Sequence, residues 1–353
     1  MNRYDRHIKL AAFGGPAGQE KLNQAKVLVV GVGGLGCAAL PYLVSSGVGQ
    51  IGLMDADLVD CSNLQRQILF DEGDVGLLKV DCAKGRLSNM NSQVQFTTYS
   101  HDLTPENAEE IIGRYDLVLD CTDRFEARYL INDACVRQNK PWVFGALYQF
   151  EGQVSVFNFR GGPTYRCLFP YDRDQQQLPS CADVGVFAPA VGLIGVMQAS
   201  EALKVLLELD DTLSGRLFCI DLKTSATQRI NFQRNQRAVE EILKAPEISL
   251  MAPEENSAYA FDLDTQSTLE NYLWIDLRES HEFPEINHKL VESIPLSRID
   301  PQTSFWKEKG PCVLFCASGS RARSLAEKLK LPNVQYVTLS PNQIQALLNK
   351  NTL

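Results

Sequence analysis

Val27-Leu28-Val29-Val30 runs directly into Gly31-Val32-Gly33-Gly34-Leu35-Gly36, and residues 35–46 continue with a helical apolar pattern. Gly31, Gly33 and Gly36 match GxGxxG between a strand and a helix, the first turn of a nucleotide-binding βαβ unit. Glycines there permit a tight turn and let phosphate oxygens approach backbone N–H groups closely. Taken alone, this loop also suits an ordinary dinucleotide fold. Outward from it the same rhythm continues. Residues 27–32, 51–55, 94–99, 116–121 and 142–145 read as strands, and 35–46, 79–89, 106–112 and 125–138 as helices. Such alternation predicts an α/β fold with a doubly wound, Rossmann-like, mostly parallel sheet. Residues 153–159 and 216–221 read as strands of an antiparallel extension, with a long apolar helix near 187–209 between them.

The chain has 353 residues, 44% of them apolar, enough for two cores. Its net charge of −9 argues against a general nucleic-acid binder. The apolar stretch 184–209 is interrupted by Glu201, Lys204 and Glu208, so a buried helix is expected and not a membrane span. Residues 1–10 show no apolar signal segment. Ten scattered cysteines without a CxxC point to reduced thiols and a cytoplasmic setting. Polar and Pro-containing sequence at 233–260 reads as a linker with one helix near 238–244. The expected division is therefore a nucleotide-binding domain at 1–232, a linker, and a smaller α/β domain at 261–353. In that domain 273–276, 312–316 and 334–337 read as strands, and 321–329 and 342–348 as helices.

Polar residues gather where the first domain's strands end. Asp55 closes the second strand, placed to accept hydrogen bonds from ribose hydroxyls. Asn63 and Arg66 follow in Ser62-Asn63-Leu64-Gln65-Arg66-Gln67, Lys79 opens the next helix, and Asp123 ends Asp120-Cys121-Thr122-Asp123. Nicotinamide chemistry calls for apolar walls. Nucleotidyl transfer to a carboxylate calls for Arg and Lys on the polyphosphate and a carboxylate for Mg²⁺, which is what this set supplies.

These motifs, with Arg3-Tyr4-Asp5-Arg6 before them, resemble the ThiF/MoeB family in kind and order from about residue 3 to 232. The family is similar to ubiquitin-activating enzymes and adenylates the C-terminal glycine of ubiquitin-like sulfur carriers. The resemblance implies ATP binding by Gly31, Gly33, Gly34, Gly36, Asp55, Asn63, Arg66 and Lys79, and Mg²⁺ binding by Asp123. It also implies a homodimer in which Arg6 reaches the neighbouring protomer's phosphates. Cys181, in a polar segment before the apolar helix, matches a cysteine that can link covalently to the carrier; an exposed structural thiol is the other reading. Many members bind structural Zn²⁺ through two CxxC pairs. Here Cys167 stands where one ligand would be and the other three positions lack cysteine, so no zinc is expected, and packing must hold that corner.

The second chemical loop is Cys316-Ala317-Ser318-Gly319-Ser320-Arg321, between a strand and a helix. Its N–H groups at a helix N-terminus, with Arg321 near, favour a thiolate on Cys316, and attack on a sulfur donor would leave a persulfide. With Asp276-Leu277-Arg278-Glu279, His281-Glu282-Phe283 and Ile294-Pro295-Leu296 it resembles the rhodanese domain. Asp276 and Arg278 read as structural. The combined expectation is ATP-dependent adenylation of a carrier ending in Gly-Gly, with catalytic roles for Arg6, Arg66, Lys79, Asp123, Cys181, Cys316 and Arg321. Sulfur would come from a cysteine desulfurase or thiosulfate and leave as a carrier thiocarboxylate. The alternatives are adenylation with a merely docking C-terminal domain, a nucleotide-responsive scaffold, or an NAD oxidoreductase. Molybdopterin, thiamine and other thiolation pathways look alike at this level.

Overall fold

The computed structural model describes residues 3–170, 185–245, 259–261, 269–279, 286–299, 306, 309–316, 319–339 and 341–350. Two compact units divide the chain, residues 1–250 and 251–353.

The first unit runs α1 (Asp5–Ile8), α2 (Gly15–Gln24), β1 (Lys26–Val30), α3 (Gly34–Ser45), β2 (Gln50–Met54), α4 (Lys79–Met90), β3 (Gln95–Tyr99), α5 (Pro105–Gly113), β4 (Leu117–Asp120), α6 (Phe125–Arg137) and β5 (Trp142–Tyr148). It continues with β6 (Glu151–Phe157), α7 (Tyr165–Leu168), α8 (Ala188–Leu206), β7 (Arg216–Asp221), β8 (Ala226–Asn231) and α9 (Gln236–Lys244). The sheet order is β3-β2-β1-β4-β5-β6-β7-β8. Pairing is parallel from β3 to β5 and antiparallel from β5 to β8. The central strands are apolar at nearly every position because both sheet faces are covered. Val27 and Val29 enter one core with Leu40, Leu43 and Val191, while Leu28 and Val30 enter the other with Val118, Ile131 and Trp142.

Helix α8 is long and apolar enough to cross a membrane by length and composition. It instead lies against α3 in the first unit's core. A Cβ on Gly195 would stand 2.5 Å from the Leu35 carbonyl and 2.7 Å from the Ala38 Cβ, so glycine permits the close approach. Its polar residues are also satisfied inside: Glu201 accepts the Leu213 N–H at 2.8 Å, and Gln198 donates to the Asp120 carbonyl at 2.6 Å.

The corner around Cys167 is held by polar contacts and rings. Tyr165 sits among Phe144, Phe157 and Phe169 at centroid distances of 5.5, 5.6 and 4.8 Å. Arg166 pairs with the buried Asp133 at 2.6 Å. The Cys167 sulfur accepts the Asn235 N–H at 3.1 Å, and the Asn235 side chain in turn caps α9.

One expectation is corrected, and one strand has no counterpart in the sequence reading. The sequence places a linker at 233–260 with a helix near 238–244, yet that helix, α9, buries Val239 and Ile242 against Val136 of α6, so the first unit extends past residue 232. The hydrophobic stripe of α9, confined to one face, is the physical reason. The sequence predicts no strand at β8. All six of its residues are exposed, so no apolar alternation marks it, and backbone pairing to β7 defines it.

The second unit has β9 (Leu273–Asp276), β10 (Val291–Ser293), β11 (Cys312–Phe315), α10 (Ser320–Leu329), β12 (Val334–Tyr336) and α11 (Pro341–Lys350). Its strands form a parallel sheet in the order β10-β9-β11-β12. The sequence predicts no strand at β10, where two half-buried residues and one exposed residue leave no signal. Trp274, Phe315 and Ile344 fill one face, and Leu314, Ala322 and Tyr336 the other.

Candidate active site

Strand order reverses at β1, whose neighbours are β2 and β4, and open parallel sheets bind ligands at such a point beyond the strand ends. The ladder bonds run right up to it: Gly31 donates to the Met54 carbonyl and Cys121 to Val30, both at 2.8 Å. The segments after β1, β2 and β4 thus emerge side by side. Gly31 adopts φ +93, and a Cβ there would lie 2.6 Å from the Cys121 carbonyl oxygen. A Cβ on Gly36 would lie 2.3 Å from the Gly31 oxygen, and one on Gly34 would lie 2.5 Å from Val191. These three glycines are therefore demanded by the fold. Gly33 is different. Its φ of −81 suits any residue, and the nearest atom to a Cβ there would be Gln67 Nε2 at 3.7 Å.

Asp55 follows β2 and ties the loop down. One carboxylate oxygen accepts the Val32 N–H at 2.7 Å and the other the Asp57 N–H at 2.9 Å. Burial raises its pKa, partly offset by Lys79. Lys79, at the first position of α4, is almost fully buried, with Nζ 2.7 Å from Asp57 and 3.9 Å from Asp55. Asp57 is largely exposed, so in this arrangement it holds the lysine that the sequence assigned to phosphates. Arg66 and Gln67 belong to one turn, with backbone N–H groups both directed at the Asn63 carbonyl. The Arg66 guanidinium donates to the Ser62 carbonyl at 3.1 Å, and its Cγ lies 3.7 Å from a Cβ position on Gly34. Asn63 is half-buried beside them.

At the end of β4, Asp120 is fully buried. It accepts the Thr122 N–H at 3.0 Å and hydroxyl at 2.6 Å, which shapes the turn presenting the exposed Asp123. Burial pushes the Asp120 pKa up to about 6 against the pull of Arg128, whose Nε lies 3.7 Å away. The Arg128 guanidinium stacks over Phe125 and Phe144, 5.1 and 5.4 Å from the ring centroids.

The structure thus gathers Gly31, Gly33, Gly34, Gly36, Asp55, Asn63, Arg66, Lys79 and Asp123 at one end of one sheet. Arg6 is not among them. Tyr4, two residues earlier, packs on Gly47 and accepts a hydrogen bond from Asn91 at 2.9 Å, beyond the far ends of α3 and α4. Both helices start at the loop end, and twelve residues of α-helix span about 18 Å. Arg6 is exposed at that opposite end. Cys181 lies outside the described residues.

Sequence reasoning did not single out Asp57, Gln67, Asp120 or Arg128. Asp57, Gln67 and Asp120 lie inside the motifs that carry the resemblance, Asp55-Ala56-Asp57, Ser62–Gln67 and Asp120–Asp123. The role of Asp57 depends on a contact across 22 residues that no periodicity marks.

In the second unit Cys316 follows β11 and is fully buried, with its sulfur accepting the Gly319 N–H at 3.1 Å. Gly319 adopts φ +83, and a Cβ there would lie 2.6 Å from the Thr338 Cα. Arg321 stands in the first turn of α10, half-buried. Asp276 and Arg278 form a buried pair, with the guanidinium donating at 2.9 and 2.6 Å to the two carboxylate oxygens. This matches the structural part expected of them. Ala317, Ser318, His281, Glu282 and Phe283 lie outside the described residues.

The model of the ThiF family matches residues 4–240. The chain belongs to the ThiF family. This ThiF-family chain is 46% identical to a sulfur carrier protein adenylyltransferase of Thermus thermophilus, over 67% of this chain and 89% of that one. It is 41% identical to an adenylyltransferase and sulfurtransferase MOCS3 of Anopheles gambiae, over 79% of this chain and 64% of the relative, so it spans just under two thirds of that protein. A Drosophila sechellia protein of the same name is 36% identical over 93% of this chain and 78% of its own. Escherichia coli MccB, solved with ATP, shares the fold at a TM-score of 0.59 and 24% identity, over 67% of this chain and 73% of that chain.

Proposed function

We propose that the chain adenylates the C-terminal glycine of a ubiquitin-like sulfur carrier and then delivers sulfur to it. The observation that carries this reading is the gathering of the glycine loop, Asp55, Arg66, Lys79 and Asp123 at the switch point of one sheet. Cations there offset charge on a polyphosphate, and Asp55 stands where a ribose is held. The carrier's carboxylate oxygen attacks the α-phosphorus, the bond to the β-phosphate oxygen breaks, and pyrophosphate leaves an acyl-adenylate. Asp123 presents an exposed carboxylate, a hard oxygen donor suited to Mg²⁺, which would add countercharge on the phosphates. Lys79 shifts from Asp57 toward the incoming phosphates. Arg6, exposed at the far end of its own sheet, serves a partner's cleft in a homodimer.

The sulfur step falls to Cys316. Its thiolate attacks the sulfane sulfur of a donor and breaks the donor's S–S bond, so that sulfite leaves from thiosulfate or the cysteine thiolate leaves from a cysteine desulfurase persulfide. The terminal sulfur of the persulfide attacks the acyl carbon and displaces AMP. A thiolate, from Cys181 or a soluble thiol, then attacks the Cys316 sulfur, releasing the thiocarboxylate and leaving a disulfide that a second thiol reduces. Support comes from the Gly319 N–H on the Cys316 sulfur and from relatives named for both activities. Cys316→Ala should keep pyrophosphate exchange and lose thiocarboxylate formation; retained thiocarboxylate would refute the sulfur step. The full burial of Cys316 favours a second reading, adenylation with a docking-only C-terminal unit. An exchange-competent protein that takes sulfur neither from thiosulfate nor from a cysteine desulfurase persulfide would favour that reading.

A further inference from the structure

Gly33 poses a question that the fold leaves open. Its backbone is extended at a negative φ of −81, and a Cβ would meet nothing closer than Gln67 Nε2 at 3.7 Å. The fold leaves open space beside Gly33, on the side where a ligand would lie. The Gln67 amide borders that same space. Its backbone is fixed in the Arg66 turn by bonds to Asn63 and from Phe70, at 2.9 and 3.0 Å. Only 4% of Gln67 is exposed, and its Oε1 is buried without a hydrogen-bond partner among the described residues. A buried amide oxygen left unpaired is unfavourable, and an apolar side chain of the same length would avoid that penalty. Packing therefore does not explain a glutamine here. Its Nε2 is a side-chain donor 3.7 Å from a Cβ position on Gly33, at the N-terminus of α3, where the helix dipole already favours an anion.

We infer that Gln67 is a phosphate-binding residue of the nucleotide cleft, its Nε2 donating to an anionic phosphate oxygen seated against Gly33. The inference rests on the nucleotide reading of this cleft and adds a ligand-touching residue to it. Arg66 and Gln67 lie along Gly34 and Gly33 respectively. The pair supplies one charged and one neutral donor to the phosphate chain, and the neutral one places a hydrogen bond without adding charge to desolvate.

The test uses the full-length protein and separates binding from packing. Gln67→Met keeps the length and apolar stem and removes both the donor and the buried oxygen. Gln67→Glu keeps the shape and replaces the donor with an anion. ATP, AMP and adenosine are titrated by calorimetry, and melting temperature is read alongside. The expected result for Gln67→Met is a melting temperature equal to or above wild type. ATP affinity falls about 10- to 100-fold, the worth of one donor to a charged group, with adenosine affinity unchanged. Gln67→Glu loses more ATP affinity than Gln67→Met, and it carries the test alone if Gln67→Met fails to fold. Unchanged ATP affinity in either folded variant, or equal losses for ATP and adenosine with a lower melting temperature, would overturn the inference and leave the proposed function standing. A wild type that binds adenosine and ATP equally, or neither, would overturn both.

Discussion

A methyl group on Gly31 would collide with the Cys121 carbonyl at 2.6 Å and force a side chain into φ +93, whereas a methyl on Gly33 would meet only ordinary contact. The two substitutions should therefore part company. Gly31→Ala should lower stability by about 1–3 kcal/mol through strain and overpacking. Gly33→Ala should stay within about 1 kcal/mol of wild type, as Ala for Gly at a helix N-cap does, and yet lose ATP binding. Urea titration beside nucleotide titration checks this, and equal destabilisation by both would refute it. The GxGxxG spacing made these positions legible in sequence but not their separate reasons, which come from α8 and the turn after β4. Lys79 shows the same limit. Its cationic character was visible, while its pairing with Asp57 arises from the fold of the intervening loop.

Elements carry the site to its place. Strand β4 ends on Asp120 inside the core, where burial outweighs Arg128 and raises its pKa to about 6. A carboxyl whose folded pKa exceeds its unfolded value favours the fold when protonated. Its contribution is full below about pH 4 and is lost as pH rises through about 6. Asp120→Asn stays neutral, so wild type should lose ground to it between pH 4 and 7, by on the order of 3 kcal/mol. Melting temperatures of both proteins across that range check the trend, and a difference independent of pH would contradict it. Helix α9 gives a second prediction at this scale. A chain ending at residue 232 uncovers Val136, while one ending at 245 keeps Val239 and Ile242 on it. The longer chain should be more stable by about 1–3 kcal/mol, the scale of burying one or two large aliphatic side chains; equal midpoints in urea would return this helix to the linker. Parallel strands and long helices were legible because both kinds of core leave a period in the sequence. The edge strand β8 faces solvent at every residue and leaves none.

At the scale of the whole molecule, two sheets carry two loops with different chemistry. The first holds glycines, cations and carboxylates at a strand-order reversal. The second holds a buried sulfur beneath a glycine N–H. Local sequence patterns, with the ThiF resemblance for the first loop and the rhodanese resemblance for the second, make both loops legible. They did not reveal that Arg6 stands at the opposite end of the sheet from its own loop, because that follows from Tyr4 docking on Gly47 and Asn91.

The central claim is adenylation, and ATP–pyrophosphate exchange tests it most directly. Purified protein is assayed with each small Gly-Gly-ending carrier of the same organism, with Asp123→Ala as control. Exchange with one carrier, reduced at least about 100-fold in Asp123→Ala, is the predicted result; removal of a group that stabilises transition-state charge has that scale. Folded, ATP-binding protein that exchanges with no carrier would contradict the account.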